Sequence, residues 1–237
     1  MKNAIVLCSG GMDSVTTAYY VKKSLGYRNI VVLFFDYGQL SLISEKKFSR
    51  TCADVIGAEF ISLKLDFLKK VYKTIVNKDK IAHAVKRFDL KNSGKESEKW
   101  YFPSRNLIFL SFAISLAENL YVKDKEKYDI FVGFKCEGND SYPDTTKDFV
   151  NRLNSLIRSS TKGKFKIISP LIEKDKEDIV LFGGNLGVDF KKTLSCYTGN
   201  FHCGHCLACR LRQEGFYWAN YKDPTKYIKK MKDFRIA

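Results

Sequence analysis

An α/β fold built on an open, doubly wound parallel sheet is predicted by three observations. Short β-prone runs alternate with longer helical stretches, the runs are apolar on both sides of the pleat, and the first leads through a glycine-rich turn into a helix. The runs cover residues 4–7, 30–35, 60–63, 129–133 and 165–169. Between them, Phe149, Leu153, Leu156 and Ile157 fall at i, i+4, i+7 and i+8, one apolar stripe of a helix. Residues 107–116 are apolar nearly all round, as a helix packed between layers would be. Two regions interrupt the alternation. Residues 91–99 (KNSGKESEK) are polar and predict a loop, and from Cys196 onward cysteine, histidine and glycine dominate before a basic, Tyr-rich stretch predicted helical from about Ala208. The βαβα order predicts ligands at the C-terminal ends of the strands, near the reversal of strand order.

Composition narrows the function classes. The 237 residues are 45% hydrophobic and 14% aromatic, which excludes intrinsic disorder and predicts one large domain or one domain with an appendage. The expected division is a catalytic domain over residues 1–195 and a small lobe with a helical tail over 196–237. The formal charge of +15 comes from scattered pairs such as Lys22/Lys23 and Lys46/Lys47, without an arginine stripe interleaved with aromatics, so solvated faces rank ahead of a nucleic-acid surface. The longest apolar stretch, residues 107–117, holds two serines and is far short of the roughly 20 residues of a membrane span. Residues 4–8 are too short for a signal-peptide core, and the expectation is a cytoplasmic protein with reduced thiols.

Ser9-Gly10-Gly11-Met12-Asp13-Ser14 follows the first strand and opens the first helix. Glycines let backbone approach phosphate oxygens, and a helix N-terminus offers free N–H groups and a positive dipole end. The lysine of the ordinary phosphate loop, GxxxxGK[ST], is missing. SGGxDS is instead the signature of the PP-loop pyrophosphatases, which cut ATP between its α and β phosphates. A plain turn capped by Asp13 is the competing reading. After the second strand comes Asp36-Tyr37-Gly38-Gln39, where Asp36 is a candidate to orient ribose, base or Mg²⁺, and an Asx turn is the alternative.

Cys196-x6-Cys203-x2-Cys206-x2-Cys209 supplies four thiolates, enough to close a tetrahedral zinc shell without water. An iron–sulfur cluster also suits the C-x2-C-x2-C part. His202 and His205 are expected to shield the site rather than ligate. His83, alone in a helix-like stretch, is read as a core or surface histidine.

SGGMDS at one end and SCYTGNFHCGHCLACRLRQEGF at the other, with FDYGQ, FPSRNLIFLSFA and YPD between, resemble the 7-cyano-7-deazaguanine synthase family of queuosine biosynthesis over nearly the whole chain. That resemblance implies a Rossmann-like PP-loop domain with a small zinc lobe, usually dimeric. It implies ATP-dependent conversion of 7-carboxy-7-deazaguanine and ammonia to the nitrile, releasing AMP and pyrophosphate. Carried over residue by residue, Cys8, Ser9, Gly10, Gly11, Met12, Asp13 and Ser14, with Asp36 and Gln39, would hold ATP and its Mg²⁺. Asp13, Ser14, Arg105 and Lys176 would serve catalysis, the two cations neutralising phosphate or carboxylate. Glu137, Tyr142 and Asp144 match a segment that contacts the deazapurine, a carboxylate being the natural acceptor for its N1–H and 2-amino edge. The pattern departs at Leu40-Ser41, where the family usually has Arg-His, and at Thr145, where it has Cys.

Other readings keep parts of this chemistry. A paralogue would pass the adenylated carboxylate to another amine, such as one on a protein. A tRNA-thiolating relative would need catalytic cysteines, for which Cys8, Cys52 and Cys136 are the candidates. A zinc-knuckle nucleic-acid binder would leave the intact Ser9–Ser14 turn without a purpose.

Overall fold

A computed structural model describes residues 2–71, 100–135 and 142–228. The loop expected at 91–99, His83, Cys136 and Glu137 lie outside them. The elements run β1 (Asn3–Leu7), α1 (Met12–Lys23), β2 (Asn29–Asp36), α2 (Leu42–Ile56), β3 (Glu59–Lys64), α3 (Asp66–Val71), α4 (Arg105–Asp124), β4 (Tyr128–Phe131), α5 (Lys147–Ser160), β5 (Ile167–Ile168), α6 (Lys176–Asn185) and α7 (Leu207–Trp218). All five strands pair in parallel in the order β3-β2-β1-β4-β5. Every predicted strand is present.

Alternation along the central strands builds two cores. Ala4 and Val6 of β1, with Ile30 and Val32 of β2, face α1, α2, α6 and Phe216 of α7. Ile5, Val31, Leu33 and Phe35 face the opposite way, toward Leu68 of α3 and the buried stripes of α4 and α5. Because both faces are covered, β1 and β2 read as unbroken apolar runs, and each fully buried Val, Leu, Ile or Phe contributes about 1.5–3 kcal/mol.

Three details differ from expectation. β5 is two residues long, and Asn154 of α5 binds its outer edge. The Asn154 amide donates to the Ile167 carbonyl at 2.8 Å and accepts the Ile167 N–H at 2.9 Å, so that edge is closed to further strands. The α5 stripe is Val150, Leu153 and Ile157, with Leu156 turned outward. On α4, Leu110, Ala113 and Ala117 are buried while Leu107 and Phe112 are exposed, so this helix buries one face and is not enclosed among the described residues. No helix among them is long and apolar enough to cross a membrane.

β1 connects onward to β2 on one side and has β4 on the other, so the order of strands reverses at β1. The cleft beyond the C-terminal ends of β1 and β4 is where such sheets hold ligands.

Candidate active site

That cleft is a cavity of about 410 Å³, lined by the turn after β1, the segment after β2, residues 100–102, the start of α4, the end of β4, and Lys176. The turn from Cys8 to Gly11 forms its floor. Gly10 sits at φ +75° with the Glu45 carbonyl 2.5 Å from where a Cβ would be, so only glycine fits. Gly133, just past β4, would drive a Cβ to 2.9 Å from the Ser14 backbone, and this close approach ends the strand and brings β4 against the turn. Ser14 fixes the turn's shape: its hydroxyl accepts the Ser9 N–H at 3.2 Å and donates to the Gly11 carbonyl at 3.2 Å. No side chain caps α1 at Gly11, so its first N–H groups are left for a ligand. Cys8 and Met12 line the floor and are buried in the core beneath.

The Asp13 carboxylate receives the Lys176 ammonium on both oxygens, at 2.7 and 2.9 Å, with both side chains mostly shielded from solvent. Lys176 opens α6 and its stem lies 3.0 Å from the position of a Cβ on Gly215, so the close crossing of α6 over α7 aims it at the turn. Opposite, Arg105 is half-buried, its guanidinium lying over the rings of Tyr37 and Phe109, 5.8 and 6.0 Å from their centroids, and Nη1 reaches the Tyr37 hydroxyl at 3.4 Å. Its Nε has no hydrogen-bond partner, and no carboxylate of the described residues forms an ion pair with it. A guanidinium in that state is a receptor for an anion. Tyr101 stacks on Tyr142 at 5.3 Å and 20°, and Trp100 meets Tyr197 at 5.3 Å, giving the cavity aromatic walls suited to a flat heterocycle.

Several sequence candidates have other partners. Asp36 accepts the Gly38 N–H at 3.2 Å, the Asx turn alternative, and does not line the cavity. Gln39 lines it, but its amide bridges the Phe35 carbonyl, the Tyr37 N–H and Glu45. Asp144 is turned away from the cavity toward Asn106: its two oxygens accept the Asn106 N–H at 3.0 Å and side-chain amide at 3.2 Å. This caps α4, whose N-cap Ser104 sits at φ 57° and makes no side-chain cap bond, and so sets where Arg105 points. The Asp144→Ala variant should lose about 2–4 kcal/mol in chemical denaturation, because two buried donors are left unmatched. Stability equal to the parent would contradict this role.

The four cysteines Cys196, Cys203, Cys206 and Cys209 are buried, with all sulfurs within 4.8 Å of one another, so they could hold a metal. Hydrogen bonds from Cys196, Cys206 and Cys209 pull the Cys203 thiol well below its usual value, while the same network pushes Cys209 up. Neither histidine is in the ligand set. The His202 Nε2 accepts the Ser195 N–H at 3.2 Å, and burial pushes this imidazole down to about 3, keeping it neutral; His205 Nδ1 lies 3.2 Å from the Cys203 carbonyl.

A model of the family described as queuosine biosynthesis protein QueC matches residues 3–220. The chain belongs to the QueC family. QueC relatives curated as 7-cyano-7-deazaguanine synthase match end to end. The chain is 38% identical over 230 residues to that of Nitratiruptor sp., covering 94% of this chain and 98% of the relative. It is 38% identical over 237 residues to that of Clostridium kluyveri, covering 96% and 98%. Against the relative from Methanocaldococcus jannaschii it is 35% identical over 241 residues, covering 95% and 99%.

Within this QueC chain, reading by sequence missed Glu45, Gly133 and Arg212. Glu45 lines the cavity and accepts from Ser41 at 2.6 Å and from Gln39 at 2.9 Å, while burial pushes its carboxyl up. An acid six residues past Gln39, near the start of a helix, was the only linear signal for it.

Proposed function

We propose that this QueC-family chain converts 7-carboxy-7-deazaguanine, ammonia and ATP to 7-cyano-7-deazaguanine, AMP and pyrophosphate. The observation that carries this reading is the half-buried Arg105 guanidinium, its Nε buried without a partner and unpaired by any carboxylate of the described residues, lining a cavity whose floor is an uncapped helix N-terminus. Two anion receptors on one cavity suit a reaction between two anions, a carboxylate and a triphosphate, which repel unless held.

In this reading the N–H groups of Gly11 to Ser14 hold the triphosphate as it arrives with Mg²⁺. A carboxylate oxygen of the heterocycle attacks the α-phosphorus, and pyrophosphate leaves toward the turn. Lys176 sits beside it through Asp13 to offset the charge that collects on the departing group. Arg105 orients the substrate carboxylate, and Tyr142 and its stacked partner Tyr101 hold the ring. Ammonia then displaces AMP to give the amide. A second ATP adenylates the amide oxygen, and loss of AMP leaves the nitrile, so each carboxylate oxygen departs on AMP. Glu137 stays the proposed acceptor for the 2-amino edge; Asp144 acts through Asn106.

Zinc is the proposed occupant of the cysteine cluster. Four thiolates around one ion at about 2.3 Å stand roughly 3.8 Å apart, close to the 3.9 Å from Cys196 to Cys206 and 4.0 Å from Cys203 to Cys209. A cuboidal cluster carries its thiolates on four separate irons and needs wider spacing. Arg210, whose Nε and Nη1 are buried without hydrogen-bond partners, supplies the counter-charge a four-thiolate zinc site requires. When bound, such an ion cross-links the cluster and takes no part in chemistry. The same reading carries a cytoplasmic homodimer, with residues 1–195 as the catalytic part and 196–237 as the zinc lobe.

Incubation with ATP, Mg²⁺, ammonium and ¹⁸O-labelled 7-carboxy-7-deazaguanine tests it by mass. The expected products are the nitrile and AMP carrying the label. ADP, or AMP without label, would overturn the assigned cleavage, and amide without nitrile would favour transfer to another amine.

A further inference from the structure

α7 is anchored at its N-terminal end in the cysteine cluster, since Cys206 is its N-cap and Cys209 lies in its first turn. Arg212, in the next turn, has no solvent exposure. Its guanidinium donates to four acceptors, none of them a carboxylate: Nε to Thr225 Oγ1 at 2.9 Å, Nη1 to Thr193 Oγ1 at 2.9 Å and Ser195 Oγ at 3.2 Å, and Nη2 to the Phe190 carbonyl at 2.8 Å. Three of these belong to residues 190–195, the strap that runs into the metal ligand Cys196. Between the two hydroxyls that Arg212 holds, the Leu194 N–H donates to the Gly10 carbonyl at 2.9 Å. The Leu194 carbonyl stands 3.4 Å from where a Cβ on Gly11 would be. The strap therefore lies against the two glycines of the turn after β1, and Arg212 grips it on either side of the residue that touches them.

We propose that Arg212 is a positioning residue for nucleotide binding: it presses the strap onto Gly10 and Gly11 so that the turn keeps its anion-binding shape, and the cysteine cluster sets its place through α7. The planar fork of arginine is needed, because four acceptors in fixed directions exceed what an ammonium can reach. This inference rests on the turn being the triphosphate site.

The test measures binding of α,β-methylene-ATP by calorimetry to the metal-loaded parent, Arg212→Lys and Thr193→Val, with metal content determined for each. The lysine variant keeps the charge and loses the fork. Valine matches the shape of Thr193, which is fully buried, and removes one acceptor, so it decides the matter if the lysine variant fails to fold. Expected are about tenfold weaker binding for Arg212→Lys and about threefold for Thr193→Val, with one metal per chain retained throughout. Parent-like affinity in both variants overturns the role of Arg212 while leaving the proposed function intact. Weakened binding that tracks loss of metal overturns it too, by reducing Arg212 to a support of the cluster. A parent that does not bind the analogue sinks the nucleotide reading itself.

Discussion

Asp13→Ala is expected to reduce AMP formation by at least about a hundredfold while leaving metal content at the parent level. Asp13 holds Lys176 by both oxygens at the mouth of the turn, so its loss frees the lysine to swing or to bind phosphate in a resting geometry. Lys176→Ala should be equally inactive, since in the proposed reaction it removes the charge set beside the departing pyrophosphate. Groups that act as one unit are strongly non-additive, so the double variant should be no slower than either single one. The measurement is single-turnover production of labelled AMP. Substantial turnover by Asp13→Ala would show that the pair does not work at the reacting phosphates, and a double variant whose loss is the product of the single losses would show that the two side chains do not act as one unit.

Loss of the metal proposed for the cysteine cluster should be felt throughout the C-terminal part. Cys209→Ser, or prolonged chelation of the parent, is expected to lower the melting temperature by on the order of 10 °C, through the loss of several kcal/mol of binding energy linked to folding. The same treatment should expose residues around Cys196, Leu194 and Ala208, which pack together with the ligands in one small core. Calorimetry alongside metal analysis by mass spectrometry checks this. A melting temperature unchanged after complete loss of metal would make the cluster dispensable to the fold.

What could be read in the sequence was what lies contiguous in it. The turn Ser9 to Ser14 and the cysteine spacing are legible because each is a local pattern with a local job. β1 and β2 are legible because burial on both faces leaves their central residues, Ala4 to Val6 and Ile30 to Phe35, apolar throughout. Partnerships across the chain are not. Asp144 carries no mark that it will cap α4 through Asn106, 38 residues away. Lys176 meets Asp13 across 163 residues only because α6 lies over Gly215. Arg212 looked like one more basic residue of a charged tail, since nothing in its neighbours announces that four neutral acceptors await it. Likewise nothing in the sequence of β5 announces that the side chain of Asn154, 13 residues away, will take the outer edge of this strand.

The bond between Leu194 and Gly10 joins two segments far apart in the chain, the later one reaching back to the earlier. A growing chain therefore carries β1 and its glycine turn without this backing until residue 194 has been made. The turn proposed to hold the triphosphate is thus complete only once the strap before the cysteine cluster has docked on it.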